Sequence, residues 1–320
     1  MKRDAWWMDR VPGRMKQAFQ RIEAHMTASQ IMVTGFALAI FAGGILLSMP
    51  FCNADGHWLR FIDALFTACS AVCVTGLVTI VPATQFTLTG KVILLILIQL
   101  GGLGIIACTM GTFLILRKQI TIRSRVMIQD SYDLHSMTGI VILLRYVIRG
   151  TFFVEGCGAV LYAVRFIPQY GLLRGLWYAL FHAISAFCNA GIDLLGVRGA
   201  YSSLTSYAYD PLINLVIILL IVIGGIGFLT WDDIYRNRHH ISRYRMQSKV
   251  ILSYSLALIF IPAILFFFLE FQDIPAGKRI LVSLFQSVTT RTAGFNTADL
   301  SSMRESGQFL MILLMLVGGA

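Results

Sequence analysis

The sequence predicts an all-α integral membrane protein in which one unit, made of a helix, a re-entrant loop and a second helix, is repeated. The membrane is predicted by composition, because 57% of the 320 residues are apolar and only 13% are charged, against about a quarter in ordinary soluble domains. The repeat is predicted by a short apolar stretch ending in glycine, which occurs three times. About a dozen apolar residues enter a bilayer without crossing it, because a crossing helix needs about 20.

The distribution of positive charge excludes nucleic acid as the partner of this chain, whose formal net charge is +10. Lys and Arg cluster before residue 29, between Arg117 and Arg125, and between Arg236 and Lys249. These segments alternate with the sides that carry the re-entrant loops, as expected from the excess of positive charge in cytoplasmic loops. The pattern predicts a multi-pass membrane protein with a cytoplasmic N-terminus.

The first unit occupies residues 29–116 and follows a basic cytosolic tail, residues 1–28. Residues 29–51 are uncharged and long enough to cross the bilayer. Residues 61–76, FIDALFTACSAVCVTG, then form the first re-entrant segment. Its terminal glycine has a free φ, so successive backbone carbonyls can point the same way, as a cation filter requires. The uncharged residues between Lys91 and Arg117 are expected to return to the cytoplasm.

A cytosolic loop, residues 117–137, leads to the second unit, residues 138–231. Its re-entrant segment, GLWYALFHAISAFCNAG, ends at Gly191, with Leu, Phe and Ser at the same distances before the glycine as in the first unit. The preceding span carries Glu155, and a carboxylate there is either a functional group or a group satisfied by neighbouring backbone. Residues 212–231 are uncharged and are expected to form one returning span.

A second cytosolic loop, residues 232–248, leads to the third unit, residues 249–320. RILVSLFQSVTTRTAG ends at Gly294, with Leu284 and Phe285 one residue closer to the glycine and Ser287 taken as the counterpart of the earlier serines. Each central glycine is followed by an apolar run with a glycine pair, at Gly101-Gly102, Gly224-Gly225 and Gly318-Gly319.

The third unit is expected to be incomplete and a fourth to be absent from this sequence. Residues 308–320 make only about 20 Å of helix, against a hydrocarbon core of ~30 Å. Three loops also leave one side of a four-sided filter open. We therefore expect a fourth unit after Ala320.

These stretches resemble the Trk/Ktr superfamily of bacterial potassium transporters. The likeness rests on SAVCVTGL, ALFHAISAFCNAGI and LFQSVTTRTAGFNT in the three re-entrant segments, and on QLGGLG in the first returning helix. It covers nearly the whole chain from Ile31 onward and is closest to the membrane subunit of the Ktr system. The resemblance implies that the units surround a central ion pore.

The resemblance also assigns a selectivity filter and a gate. Potassium is implied at the backbone carbonyls of three matched stretches: Val72, Cys73, Val74, Thr75 and Gly76; Phe187, Cys188, Asn189, Ala190 and Gly191; and Thr290, Arg291, Thr292, Ala293 and Gly294. The gate region is Gly318, Gly319 and Ala320. The Arg291 side chain is expected to point away from the axis, because a guanidinium in the lumen would repel the ion.

For the whole protein the resemblance implies potassium uptake in a bacterial plasma membrane, driven by the membrane potential and stimulated by sodium. The implied partners are a second copy in a homodimer, the lipid bilayer, and a cytosolic ring of nucleotide-binding (KtrA-like) regulatory subunits that docks on the basic loops. No cofactor is expected in this chain. The alternatives are a non-selective sodium/potassium channel and a non-transporting scaffold subunit. An enzyme is not expected, because the sequence contains no HExxH or GxSxG pattern.

Overall fold

The computed structural model describes residues 28–104, 140–196, 199, 202–238, 240–291, 293–298, 300 and 303–318. These residues form helices and loops without a strand, apart from one isolated bridge between Asn53 and Phe86. The predicted all-α class is therefore confirmed. The main helices are α1 (Ala28–Ser48), α2 (Phe61–Val72), α3 (Leu88–Leu103), α4 (Ile140–Tyr170), α5 (Leu172–Phe187), α6 (Pro211–Gly225), α7 (Phe228–Asn237), α8 (Met246–Leu269), α9 (Ala276–Thr289) and α10 (Glu305–Gly318).

Some of the predicted features lie outside the described residues. These are the first cytosolic loop, the site residue Thr292, the gate residues Gly319 and Ala320, and all but the last residue of the N-terminal tail.

The helices pack as three similar units, each built around the short helix that precedes a central glycine. The short helix α2 packs on α1 and α3, α5 packs on α4 and α6, and α9 packs on α8. Neighbouring units join in the same way, since α3 of the first unit contacts α5 of the second, and α6 of the second contacts α9 of the third. The second unit therefore lies between the other two.

Two helices are long and apolar enough to cross a membrane by length and composition, namely residues 144–170 of α4 and the whole of α8. The bent pair α6 and α7 makes a third candidate if it counts as one span. Large apolar side chains cover the exposed faces of these helices, such as Phe153 on α4, Leu219 on α6 and Phe260 on α8. Side chains of this kind suit contact with lipid.

The third candidate adds a bend to the sequence interpretation, which predicted a returning span over residues 212–231. The chain instead bends by 95° between α6 and α7. Gly227 has φ 80°, in the left-handed region that glycine adopts without steric cost. The same spacing ends α3, where Gly104 also has φ 80°. In both units the helix ends within the Gly-Gly-x-Gly sequence, whose last glycine is left-handed.

Local sequence explains where several of these helices begin and end. The Asn53 amide donates hydrogen bonds to carbonyls at the C-terminal end of α1, including Met49 O at 2.9 Å, and so satisfies groups that the helix leaves unpaired. At the start of α6 the Asp210 carboxylate accepts from the Leu212 N–H at 3.1 Å, and Pro211 occupies the first helical position. Both features are typical helix starts.

Candidate ion site

The three short helices point their C-terminal ends at one place, where the three central glycines meet. A Cβ added to Gly76 would lie 3.3 Å from Gly294 Cα, and one added to Gly191 would lie 2.4 Å from the same atom. Backbones of residues 218 positions apart in the chain thus approach closely enough to leave no room for a side chain between them. The central glycines of the three units therefore lie side by side, although they come from distant parts of the chain.

The backbone around these glycines is left-handed at matching positions. Gly76, Gly191 and Gly294 have φ of 76°, 64° and 76°. Two residues earlier, Val74 and Asn189 each have φ 57°, although neither is a glycine. A non-glycine residue in this region costs about 1–3 kcal/mol and persists only where its surroundings hold it, often at functional sites. The strain therefore repeats in the first two units at the same distance from the glycine.

A hydroxyl group near the end of each short helix holds the following loop. The Ser185 hydroxyl donates to Ile192 O at 2.7 Å, directly after Gly191. The Thr289 hydroxyl donates to Phe295 O, directly after Gly294. In the first unit the Thr75 hydroxyl donates to the Ser70 hydroxyl at 2.9 Å. These hydrogen bonds hold the loops that carry the central glycines against the short helices.

Thr289, and not Ser287, is therefore the third-unit counterpart of Ser70 and Ser185, which corrects the sequence interpretation. The Ser287 hydroxyl donates instead to Ile259 O of α8 at 2.6 Å. The one-residue shift already visible at Leu284 and Phe285 also applies at this position, since Leu284 precedes Thr289 by the same interval that separates Leu65 from Ser70. The spacing from Leu284 therefore indicates Thr289, whereas residue type alone favours Ser287, a serine like Ser70 and Ser185.

The glycine pairs lie directly against the ends of the short helices. A Cβ on Gly101 would lie 2.3 Å from Val72 O, and one on Gly224 would lie 2.0 Å from Phe187 O. The second glycine of the first pair faces the next unit, with its Cβ position 2.4 Å from Cys188 Sγ. The carbonyls of Val72 and Phe187, both predicted filter residues, therefore face the returning helices.

The predicted filter residues differ in burial between the three units. Phe187, Cys188, Ala190 and Gly191 of the second unit are buried, whereas Cys73 and Thr75 of the first unit are exposed. In the third unit Thr290, Arg291 and Ala293 are buried. The second loop is the most enclosed because its unit has a neighbour on each side.

The Arg291 side chain is 9% exposed and runs between two returning helices. Its Cγ lies 3.6 Å from the Cβ position of Gly318, and its Nη2 lies 3.8 Å from that of Gly225. The arginine side chain therefore packs beside both glycines. Gly318 is the one described residue of the predicted gate. It is the last residue of α10 and lies beside the Arg291 side chain.

A chain of polar contacts leads away from the second loop through the half-buried Gln99, a residue that the sequence interpretation missed. The Gln99 amide on α3 donates to Glu155 Oε1 on α4 at 2.9 Å, and the Cys188 thiol approaches Gln99 Oε1 at 3.9 Å. Gln99 had no distinguishing pattern in the sequence. Its contacts join residues 56 and 89 positions away.

The chain matches the TrkH family, described as a cation transport protein, over residues 12–320. It is 36% identical over 305 residues to the potassium/sodium uptake protein NtpJ of Enterococcus hirae, covering 94% of this chain and 66% of that protein. It is 37% identical over 298 residues to the Ktr system potassium uptake protein B of Bacillus subtilis, covering 91% and 65%. The protein of the same name from Vibrio alginolyticus is 31% identical over 296 residues, covering 90% and 64%. The chain thus spans slightly less than two thirds of the length of these relatives.

Proposed function

The chain belongs to the TrkH family of cation transport proteins, and on this premise we propose that it takes part in potassium uptake across the bacterial plasma membrane. The observation that carries the proposal is the meeting of Gly76, Gly191 and Gly294 at the C-terminal ends of three short helices. Helix C-termini carry partial negative charge, which favours a cation at this place. The three loops would act as a filter with one glycine in each unit.

Backbone carbonyls of the three loops are the proposed potassium ligands. Removing water from a small cation costs tens of kcal/mol unless fixed dipoles replace it, and carbonyls held by short helices supply such dipoles. The left-handed residues Val74 and Asn189 support this role, because they turn the chain locally where an ordinary extended loop would not.

The gate is proposed at the end of the third unit, at Gly318, Gly319 and Ala320. Gly318 lies near Arg291, which follows α9 on the way to Gly294. A movement of this end of α10 would therefore act on the third loop through Arg291.

The proposed driving force is the membrane potential. A potential is worth roughly 2.3 kcal/mol per charge per 100 mV, so ~150 mV sustains an accumulation of a few hundredfold without a coupled ion. Sodium is proposed to stimulate the flux and not to drive it. One relative is named a potassium/sodium uptake protein, which supports a role for both ions.

Regulation is proposed to come from a separate ring of nucleotide-binding subunits on the cytoplasmic side, with the protein acting as a homodimer. Two of the relatives are named as parts of a Ktr system. In the second cytosolic loop, Arg238 and Arg243 are exposed. Arg236 is bound to Asp232 at 2.8 Å. Arg238 and Arg243 are therefore the better candidates for contact with an acidic partner surface.

Growth of a bacterium that lacks its own potassium uptake tests the proposal. The full-length protein should restore growth at low external potassium, and rubidium influx should collapse when the membrane potential is removed. Equal influx of sodium and potassium would favour the alternative of a non-selective channel. Absence of flux, with the protein present in the membrane, would instead indicate a scaffold subunit.

A further inference from the structure

A carboxylate is buried between the first and second units with only part of its bonding satisfied. Glu155 on α4 is 2% exposed. Its Oε1 accepts from the Gln99 amide at 2.9 Å, while its Oε2 has no hydrogen-bond partner among the residues that the structure describes. Among the residues that the structure describes, no basic side chain forms an ion pair with Glu155. Among the described residues, the Gln99 amide is therefore the one hydrogen-bond donor to this carboxylate.

A second buried oxygen without a described partner lies one helical turn earlier. Thr151 is 0% exposed, and its Oγ1 has no hydrogen-bond partner within the described ranges. Residues four apart on a helix share a face, with Cβ atoms about 5–6 Å apart. Thr151 and Glu155 thus lie on the same face of α4, both buried, and the Gln99 amide binds the carboxylate on that face.

From this geometry we propose that Glu155 and Thr151, with Gln99 beside them, bind a hard monovalent cation at a site outside the filter. An ionised carboxylate inside a membrane protein costs several kcal/mol unless a positive charge pairs with it. One carboxylate and one monovalent cation give a neutral site, and oxygen ligands favour hard cations. Sodium is the ion to test, because its small radius allows the closest approach to the carboxylate.

The site connects to the second loop through Gln99. The Gln99 side chain lies between Glu155 and the Cys188 thiol, and Cys188 packs against Gly102 and directly follows α5. A cation bound to Glu155 sets the position of its carboxylate relative to the Gln99 side chain. Because Gln99 also contacts Cys188, three residues before Gly191, this position affects the second loop. This inference deepens the proposed stimulation by sodium and rests on the proposed function for its effect on transport.

The test measures binding without transport. The full-length protein, purified in detergent with constant excess KCl to occupy the filter, is heated while NaCl replaces choline chloride at fixed ionic strength. A bound ion raises the apparent melting temperature by mass action. We expect a saturable rise for the unchanged protein, at least tenfold weaker apparent sodium affinity for Glu155→Gln, and a smaller loss for Thr151→Val, which keeps the shape of the side chain. Glu305→Gln, which changes an exposed carboxylate, should leave the sodium dependence as it was.

Three results would overturn the proposal. One is an unchanged sodium shift in Glu155→Gln and Thr151→Val. Another is an equal rise with any added salt. The last is a melting temperature that responds to pH but not to sodium, which would assign a proton to Glu155. If Glu155→Gln does not fold, Thr151→Val alone decides. Because potassium flux is not the readout, failure of this site and failure of the proposed transport are distinguishable.

Discussion

A side chain at any of the three central glycines would have to occupy space that another backbone already fills. The Cβ position of Gly191 is 2.4 Å from Gly294 Cα and 2.5 Å from Ala293 O, distances that real Cβ atoms essentially never show. The left-handed φ of 64° adds strain for any other residue. Both the left-handed backbone and the lack of space for a side chain therefore favour glycine at these positions.

We expect Gly191→Ser to weaken potassium selectivity and to raise the potassium concentration for half-maximal uptake at least tenfold, because the added side chain forces the loops apart. The measurement is rubidium influx with competing potassium and sodium. Gly156→Ser is the matched control, since a Cβ there meets nothing within 4 Å. An unchanged affinity in Gly191→Ser would remove the second loop from the filter.

Thr289→Val should lower selectivity between potassium and sodium several-fold with little loss of protein, because it removes only the hydroxyl that donates to Phe295 O. Such a hydrogen bond contributes about 1 kcal/mol. Ser287→Ala removes a hydroxyl that bonds to α8, and it should lower thermal stability while selectivity stays the same. If the two variants exchanged these effects, Ser287 would be the true counterpart of Ser185.

At the scale of elements, the glycine pairs determine how closely the returning helices approach the short helices. The first glycine of a pair lies against a carbonyl at the end of a short helix, and the last glycine of the Gly-Gly-x-Gly sequence is left-handed at the turn where the returning helix stops. The bend between α6 and α7 also brings Trp231 against Phe187, with ring centroids 5.7 Å apart. The returning helix and the turn after it therefore support the second loop together.

Gly224→Ala should be much more harmful than Gly225→Ala, although the two residues are adjacent. The Cβ of the first would lie 2.0 Å from Phe187 O, a backbone atom that cannot move aside cheaply, whereas that of the second would lie 3.4 Å from the Asn189 side chain. Overpacking of this kind costs typically 1–3 kcal/mol. Melting temperatures of the purified variants measure the difference, and equal values would contradict the close contact between α6 and α5.

At the scale of the whole molecule, the units follow one another around a common centre, with the second between the first and the third. This order encloses the second loop and leaves the first more exposed. The loop after α7 is held by its own ion pairs, because Asp232 contacts both Arg236 at 2.8 Å and Arg245 at 4.0 Å. Only part of the positive charge in that loop is therefore free for a partner.

Arg238→Glu with Arg243→Glu should reduce co-purification with a nucleotide-binding ring at least several-fold, because both side chains are exposed in the basic loop. Arg236 and Arg245 are unsuitable for this test, since reversing either would also break a contact with Asp232. Arg174→Glu, an exposed reversal at the start of α5, is the control for net charge. Undiminished co-purification of the double variant would rule out this surface.

The sequence by itself determined the all-α membrane class, the three units and the positions of the central glycines. Apolar length, charge clusters and the recurring Leu, Phe and Ser before Gly76 and Gly191 are local features, and the physics of the bilayer acts on them directly. The family followed from the same stretches, and the match over residues 12–320 confirms it.

Only the tertiary structure decided which groups touch. It placed Thr289 where the sequence indicated Ser287, broke the predicted span at Gly227, and joined Glu155 to Gln99 across 56 residues. The bond between Gln99 and Glu155 and the bond from Ser287 to α8 depend on atoms from distant parts of the chain. Residue type and spacing do not determine such partners, because packing between helices selects among groups that the local sequence leaves equivalent.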